Sequence, residues 1–259
     1  AGNGDLLFSG GSLGSIYALT KIGLGKATIN AAIPALSSNL QVFAGTLQLG
    51  SGGIWASSGS GGTLYERSTL VLDDSTVAAG TNRLGGRPLS VFGAELRLLG
   101  NSNGTTETTG AFSFASRGQS TFTVVPAEGG IAGSTLQFSA VTRNTSATAL
   151  FRGTNLGQPG GPGVATILAA GSFTFVGTGT ADTTNKGILP WALVDSSVSG
   201  FGSSFATADT GGSPLRALRA TEYVTALSGG QNVVLSTVET SATSLALNSI
   251  TLANTGADP

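Results

Sequence analysis

A short phrase of alternating residues keeps returning along this chain: a small polar residue, then apolar, polar, apolar. It reads Gly45-Thr46-Leu47-Gln48-Leu49-Gly50, Ser68-Thr69-Leu70-Val71-Leu72-Asp73, Ala94-Glu95-Leu96-Arg97-Leu98, Ser120-Thr121-Phe122-Thr123-Val124 and Ser134-Thr135-Leu136-Gln137-Phe138. Period-two alternation describes a strand with one buried and one wet face. From Leu47 to Leu70 is 23 residues, and from Leu70 to Leu96 and from Leu96 to Phe122 it is 26 each time. Strands that return at a fixed interval specify a stack of coils in which each turn contacts its neighbours. The expected fold is all-β, a β-solenoid.

Composition agrees. Of 259 residues, 41 are glycine and only 10% are charged, against about 25% in ordinary domains. Lysine is scarce, methionine is absent, and no stretch keeps a capped 3.6-residue apolar period beyond about two turns. The mean hydropathy of +0.25 fits coils with apolar interiors and Ser, Thr and Gly outside. So little surface charge opposes association only weakly.

Several functions are excluded. Without cysteine there is no disulfide framework or thiolate chemistry. Without histidine there is no Ser-His-Asp triad, no zinc site of the usual kind and no neutral-pH switch. The net charge of −1 is spread along the chain, which argues against nucleic acid as a partner. No run of 18 apolar residues predicts a membrane span. The alanine start is read as a mature terminus after removal of a signal peptide.

The chain divides into solenoid turns over 1–176, an irregular insertion over 177–230 and terminal strands with a tail over 231–259. In the first part glycines at 10, 11, 23, 25, 52 and 53 mark corners, and Gly157 to Gly163, with Pro159 and Pro162, reads as an exposed loop. Further strands are expected at Ala147–Phe151 and Ser172–Val176. The insertion holds Trp191, Phe201, Phe205 and Tyr223 and is expected to pack its own aromatic cluster on the solenoid flank. Strands return at Asn232–Leu235, Ser244–Leu247 and Ser249–Leu252, and neither end shows a helical or charged cap.

Some of these residues resemble a known family. Leu19-Thr20-Lys21-Ile22-Gly23-Leu24-Gly25-Lys26-Ala27-Thr28-Ile29, followed by Val42-Phe43-Ala44-Gly45-Thr46-Leu47-Gln48-Leu49-Gly50, looks like the autotransporter-associated β-strand repeat. Ser68–Leu72, Asn82–Gly85, Phe151–Gly157 and Leu189–Ala192 look like a longer module from large surface proteins of planctomycete-type bacteria. The resemblance implies a right-handed parallel β-helix in a secreted or surface-displayed, adhesin-like protein, and it supplies no catalytic residues. Set against that family, the sequence is expected to be a single module rather than an array, without a membrane barrel.

Candidate chemistry is thin. Asp73, Asp74, Arg83, Arg87, Glu95 and Arg97 form the best acidic and basic group, as a polysaccharide-cleaving β-helix would need. Adjacent aspartates on a strand point to opposite faces, however, so ion pairs between coils are the expected role. Gly2-Asn3-Gly4-Asp5-Leu6 is one partial copy of a calcium-binding nonapeptide and reads as a turn. Asn103-Gly104-Thr105 and Asn144-Thr145-Ser146 have the form of glycosylation acceptors. Trp55, Trp191, Tyr17, Tyr65 and Tyr223 could stack on sugars if exposed. No catalytic, cofactor or metal site is assigned. The leading expectation is a structural subunit that stacks head to tail into an extracellular filament or layer. The alternatives are an adhesin module that holds surface glycans and, last, a carbohydrate-active enzyme.

Overall fold

In the computed structural model, residues 4–12, 14–33, 35–36, 39–55, 61–76, 82–115, 118–144, 146–170, 173–241 and 243–253 are described. The architecture is all-β and solenoid-like, built on two long parallel sheets. The first takes Leu6–Phe8, Lys26–Ile29, Gly45–Leu49, Ser68–Asp73, Glu95–Leu99, Gly118–Val125, Ala147–Gly153 and Leu189–Asp195 in sequence order. The second takes Leu19–Lys21, Leu40–Val42, Gly62–Leu64, Leu89–Val91, Thr105–Phe114, Ser134–Arg143 and Ala165–Ala169. The chain alternates between the two, laying one strand in each per coil. The early coils add a short third parallel pair, Ser15–Ile16 with Ala35–Leu36. No helix of the described residues is long and apolar enough to cross a membrane.

The recurring phrases explain the register. Leu47 pairs with Leu70, Leu70 with Leu96, Leu96 with Phe122, Phe122 with Phe151 and Phe151 with Val194. Each of these side chains is buried, so the spacing read from sequence is the rise of one coil. A second column runs Ile29, Leu49, Leu72, Leu98, Val124. Full burial of one such side chain contributes about 1.5–3 kcal/mol. The widest coils enclose an aromatic core of Phe112, Phe114, Phe122, Phe138 and Phe151, with ring centroids 4.8–6.3 Å apart.

The two halves of the family-like motif meet at one corner. The Lys21 ammonium donates to the carbonyls of Ile22, Gly23 and Ala44 at 2.9, 2.6 and 3.0 Å. Gly45 takes φ +67° directly against the Gly23–Gly25 turn. A side chain there would meet three carbonyl oxygens within 2.6 Å.

The expected strand at Ser134–Phe138 lies in the second sheet, where Leu136 pairs with Glu107 and Ile167. Other sequence expectations change. Ser172 lies outside the described residues, and Phe173–Phe175 form no strand. The interval 177–230 is not wholly an insertion, because Leu189–Asp195 continues the first sheet in parallel with Ala147–Gly153. Its aromatics make no cluster of their own: Trp191 packs on Phe114, Phe151 and Phe173, while Phe201 stands exposed. A further change concerns the cap. After Asp195 the chain turns back, and Ser204–Thr207 and Arg216–Ala217 add two antiparallel strands that finish the first sheet. The expected strand at Ser244–Leu247 is also absent among the described residues, whereas Asn232–Leu235 and Ser249–Leu252 pair in parallel.

Candidate functional site

The two ends of the first sheet differ, and the difference is chemical. At the start, Leu6 and Phe8 occupy the inward positions opposite Ala27 and Ile29. Their columns are buried in the later coils, yet Leu6 is 59% and Phe8 46% exposed. With Ile16, Leu19, Ile29 and Leu47 they line an apolar groove of about 430 Å³, the mouth of the solenoid. Among the described residues the strand Leu6–Phe8 pairs on its Lys26–Ile29 side alone. Asp5 accepts from the Lys26 backbone N–H at 3.3 Å and ties this rung to the next. An edge of this kind is a template for another strand.

At the far end the sheet is closed by charge. The Glu222 carboxylate, fully buried, accepts from Arg216 Nη1 and Nη2 at 2.7 and 2.6 Å and from the Arg219 and Asp182 backbone N–H groups at 2.8 and 3.0 Å. Arg216 also holds Asp209, and Arg219 bridges Asp182 and Asp209. Burial alone would raise the Glu222 pKa, but these donors outweigh it and hold the group below the usual carboxylate range. Asp209 is lowered in the same way, Arg216 and Arg219 overriding its desolvation. Beyond this closure Ser249–Leu252 is itself an edge strand, with Ile250 exposed and Leu252 76% exposed.

The acidic and basic group singled out from sequence splits in two. Asp73 faces outward, accepting from Gln48 Nε2 at 2.6 Å and from the Ser75 hydroxyl, while Asp74 is buried. Inside, Asp74 Oδ1 accepts from Arg83 Nε at 2.5 Å, and Arg83 also donates to the carbonyls of Gly50 and Gly53. Outside, Glu95 meets Arg97 at 4.0 Å, Arg152 at 3.3 Å and the Thr123 hydroxyl at 2.6 Å. Arg87 lies over the Trp55 ring at 4.9 Å. Apart from Glu95 with Arg97, which share the strand Glu95–Leu99, these are links between coils. Sequence reasoning missed Glu107, which enters the inner group from the second sheet and accepts from the Arg83 backbone N–H at 2.7 Å. Its signal was a charge set among threonines at an inward position, Thr105-Thr106-Glu107-Thr108-Thr109.

The remaining candidates are placed as follows. Trp55 is core. Trp191 is half-buried beneath Arg143, whose guanidinium lies 5.1 Å from the ring. Tyr65 stacks between Phe43 and Phe92 at 4.3 and 5.5 Å, and Tyr223 shares a 2.9 Å hydrogen bond with Ser204. Of the five aromatics only Tyr17 is open to solvent. Asn103 and Asn144 are exposed, with Thr145 outside the described residues, as are Ala1–Asn3 of the nonapeptide-like turn. Among the described residues no three acidic side chains gather as a metal site. Comparison with protein-family models, curated proteins and solved structures finds no match.

Proposed function

We propose that the chain is a structural unit, a right-handed parallel β-helix that is secreted or displayed at a cell surface and joins end to end with a second copy through its first rung. The observation that carries this reading is the exposure of Leu6 and Phe8, whose columns are buried in the later coils. The complementary edge is Ser249–Leu252, whose exposed Ile250 and Leu252 have the same i, i+2 spacing as Leu6 and Phe8. Laid in parallel beside Leu6–Phe8, it would extend both buried columns by one residue each. Such a contact uses different surfaces on the two partners, so it propagates into a filament unless the rotation closes a ring. The secreted setting rests on the family resemblance of the Leu19–Ile29 and Val42–Gly50 segments.

The chain has no cysteine, which makes a cross-linking test clean. Leu7→Cys and Thr251→Cys variants, mixed under oxidising conditions, should give a disulfide-linked pair that neither gives alone. Neighbouring strands about 4.8 Å apart lie within disulfide reach. Cross-linking of Leu7→Cys with itself would replace the head-to-tail joint by a mouth-to-mouth one. A monodisperse monomer at high concentration would overturn the reading.

A second reading draws on the outer face of the second sheet. Thr20, Gln41, Thr63, Ser90, Ser113 and Thr142 follow one another across six coils as an uncharged polar column, which suits a neutral surface glycan. Glycan-array binding that is lost in Thr63→Val with Ser90→Ala would favour this adhesin role.

A further inference from the structure

The cluster of Asp74, Arg83 and Glu107 ties three levels of the stack. Asp74 follows Ser68–Asp73, Arg83 lies in the connection to the next coil, and Glu107 comes from the second sheet one coil on. Arg83 reaches back to the Gly50 and Gly53 carbonyls of the preceding coil. All three residues are at most 1% exposed.

Their charges do not balance, since two carboxyl groups face one guanidinium. Asp74 Oδ1 is taken by Arg83 Nε, and Glu107 Oε1 by the Arg83 backbone N–H. The other oxygens, Asp74 Oδ2 and Glu107 Oε2, are buried without a hydrogen-bond partner, as is Arg83 Nη2. Two ionised carboxylates left that way would carry a large desolvation cost and repel each other. Both carboxyl groups hold the same arginine, Asp74 at Arg83 Nε and Glu107 at the Arg83 backbone N–H, and each keeps one free oxygen in the same buried cluster. A single proton between their free oxygens satisfies both and brings the cluster to neutrality.

We propose that Asp74 and Glu107 share one proton, and that this buried carboxyl pair is a pH-sensitive fastening between coils, tight while protonated and loosened once the proton is lost. Burial, first, and then the charge of Asp74 push Glu107 up to about 8, which places the proton on Glu107. Asp74 is also raised by burial, although the Arg83 guanidinium opposes the shift. The charged groups facing Glu107 are Arg83 and Asp74, with Asp73 acting on Asp74 from outside. In its own column Glu107 is followed by Leu136 and Ile167, which carry no charge.

The unfolded chain gives up this proton near the ordinary glutamate value, about 4.3, and the folded chain near 8. Between those limits the folded state binds more protons, so the contribution falls as pH rises. It is complete below the lower limit and lost by the upper.

Carbon-13 NMR of the native chain, with glutamate labelled at the carboxyl, reads the site directly. One resonance should titrate above pH 7 and vanish in Glu107→Gln. If all glutamates titrate in the ordinary range, the proposal fails. Amide hydrogen exchange of Ser68–Asp73 and Thr105–Phe114, corrected for intrinsic pH dependence, provides the second measurement. Protection should drop at least tenfold between pH 6 and pH 9 in the native chain and stay constant in Glu107→Gln, whose amide keeps a donor at every pH. An equal drop in both proteins overturns the fastening role.

Discussion

Phe122→Ala tests the reading of the core most sharply. The ring is fully buried, sits between Leu96 and Phe151 in the ladder, and contacts four other rings. The centroids of Phe112, Phe114, Phe138 and Phe151 lie 5.3, 5.4, 5.5 and 5.2 Å away. Truncation of a buried phenylalanine costs about 3–5 kcal/mol, the larger values belonging to sites that cannot collapse. This site cannot collapse, because the backbone on both sides is fixed at the strand spacing by parallel hydrogen bonds. Each aromatic contact adds about 0.5–1.5 kcal/mol beyond the area term, although one truncation does not sum them. The expected loss is about 4–5 kcal/mol. The assay is guanidinium unfolding followed by circular dichroism, with an unchanged m-value required before midpoints are compared. Phe201→Ala is the internal control, since that ring is 86% exposed and its removal should cost no more than about 0.5 kcal/mol. A Phe122→Ala loss below about 2 kcal/mol, or one equal to the control, would refute a close-packed aromatic core.

Two other outcomes are expected. Gly45→Ala combines a φ of +67° with a Cβ forced onto the Gly23, Leu24 and Gly25 carbonyls, and it should lose about 2–3 kcal/mol in thermal or chemical unfolding, whereas Gly86→Ala, at a similar φ but in open space, should lose less. Glu222 and Asp209 titrate below their usual values, so their stabilisation is present above the unfolded-state pKa and lost as pH falls through the folded one. Pepsin near pH 2–3 should therefore cut within 196–230 before it cuts the coils around Phe122, and cleavage in the reverse order would contradict the sign.

The coil repeat was legible in the sequence because its cause is local: a Thr-Leu-x-Leu phrase must bury alternate residues whatever lies around it. Leu47, Leu70, Leu96 and Phe122 accordingly fall in one column. The same locality left open the sheet to which Ser134–Phe138 belongs. Alternation states which side chains turn inward but not which of two parallel sheets receives the strand. Glu107 was invisible for a related reason, since its partners Asp74 and Arg83 lie 33 and 24 positions away and meet it only through coiling. The closing network escaped because Arg216, Asp209 and Glu222 look like scattered surface charge until a reversal of the chain gathers them. Trp191 read as part of the insertion's own aromatic cluster, and it packs against the core because Leu189–Asp195 takes its place in the sheet.

The closing strands of the first sheet shorten in order, from seven residues at Leu189–Asp195 to four at Ser204–Thr207 and two at Arg216–Ala217. A ladder that tapers in this way gives the rod a polarity. Peeling that begins at Leu6–Phe8 can run rung by rung toward Leu189–Asp195, but from the Arg216 side there is almost no ladder to grip and an ionic clamp to break first. Under tension the first sheet should unravel from its Leu6–Phe8 edge, with the tapered edge acting as its anchor.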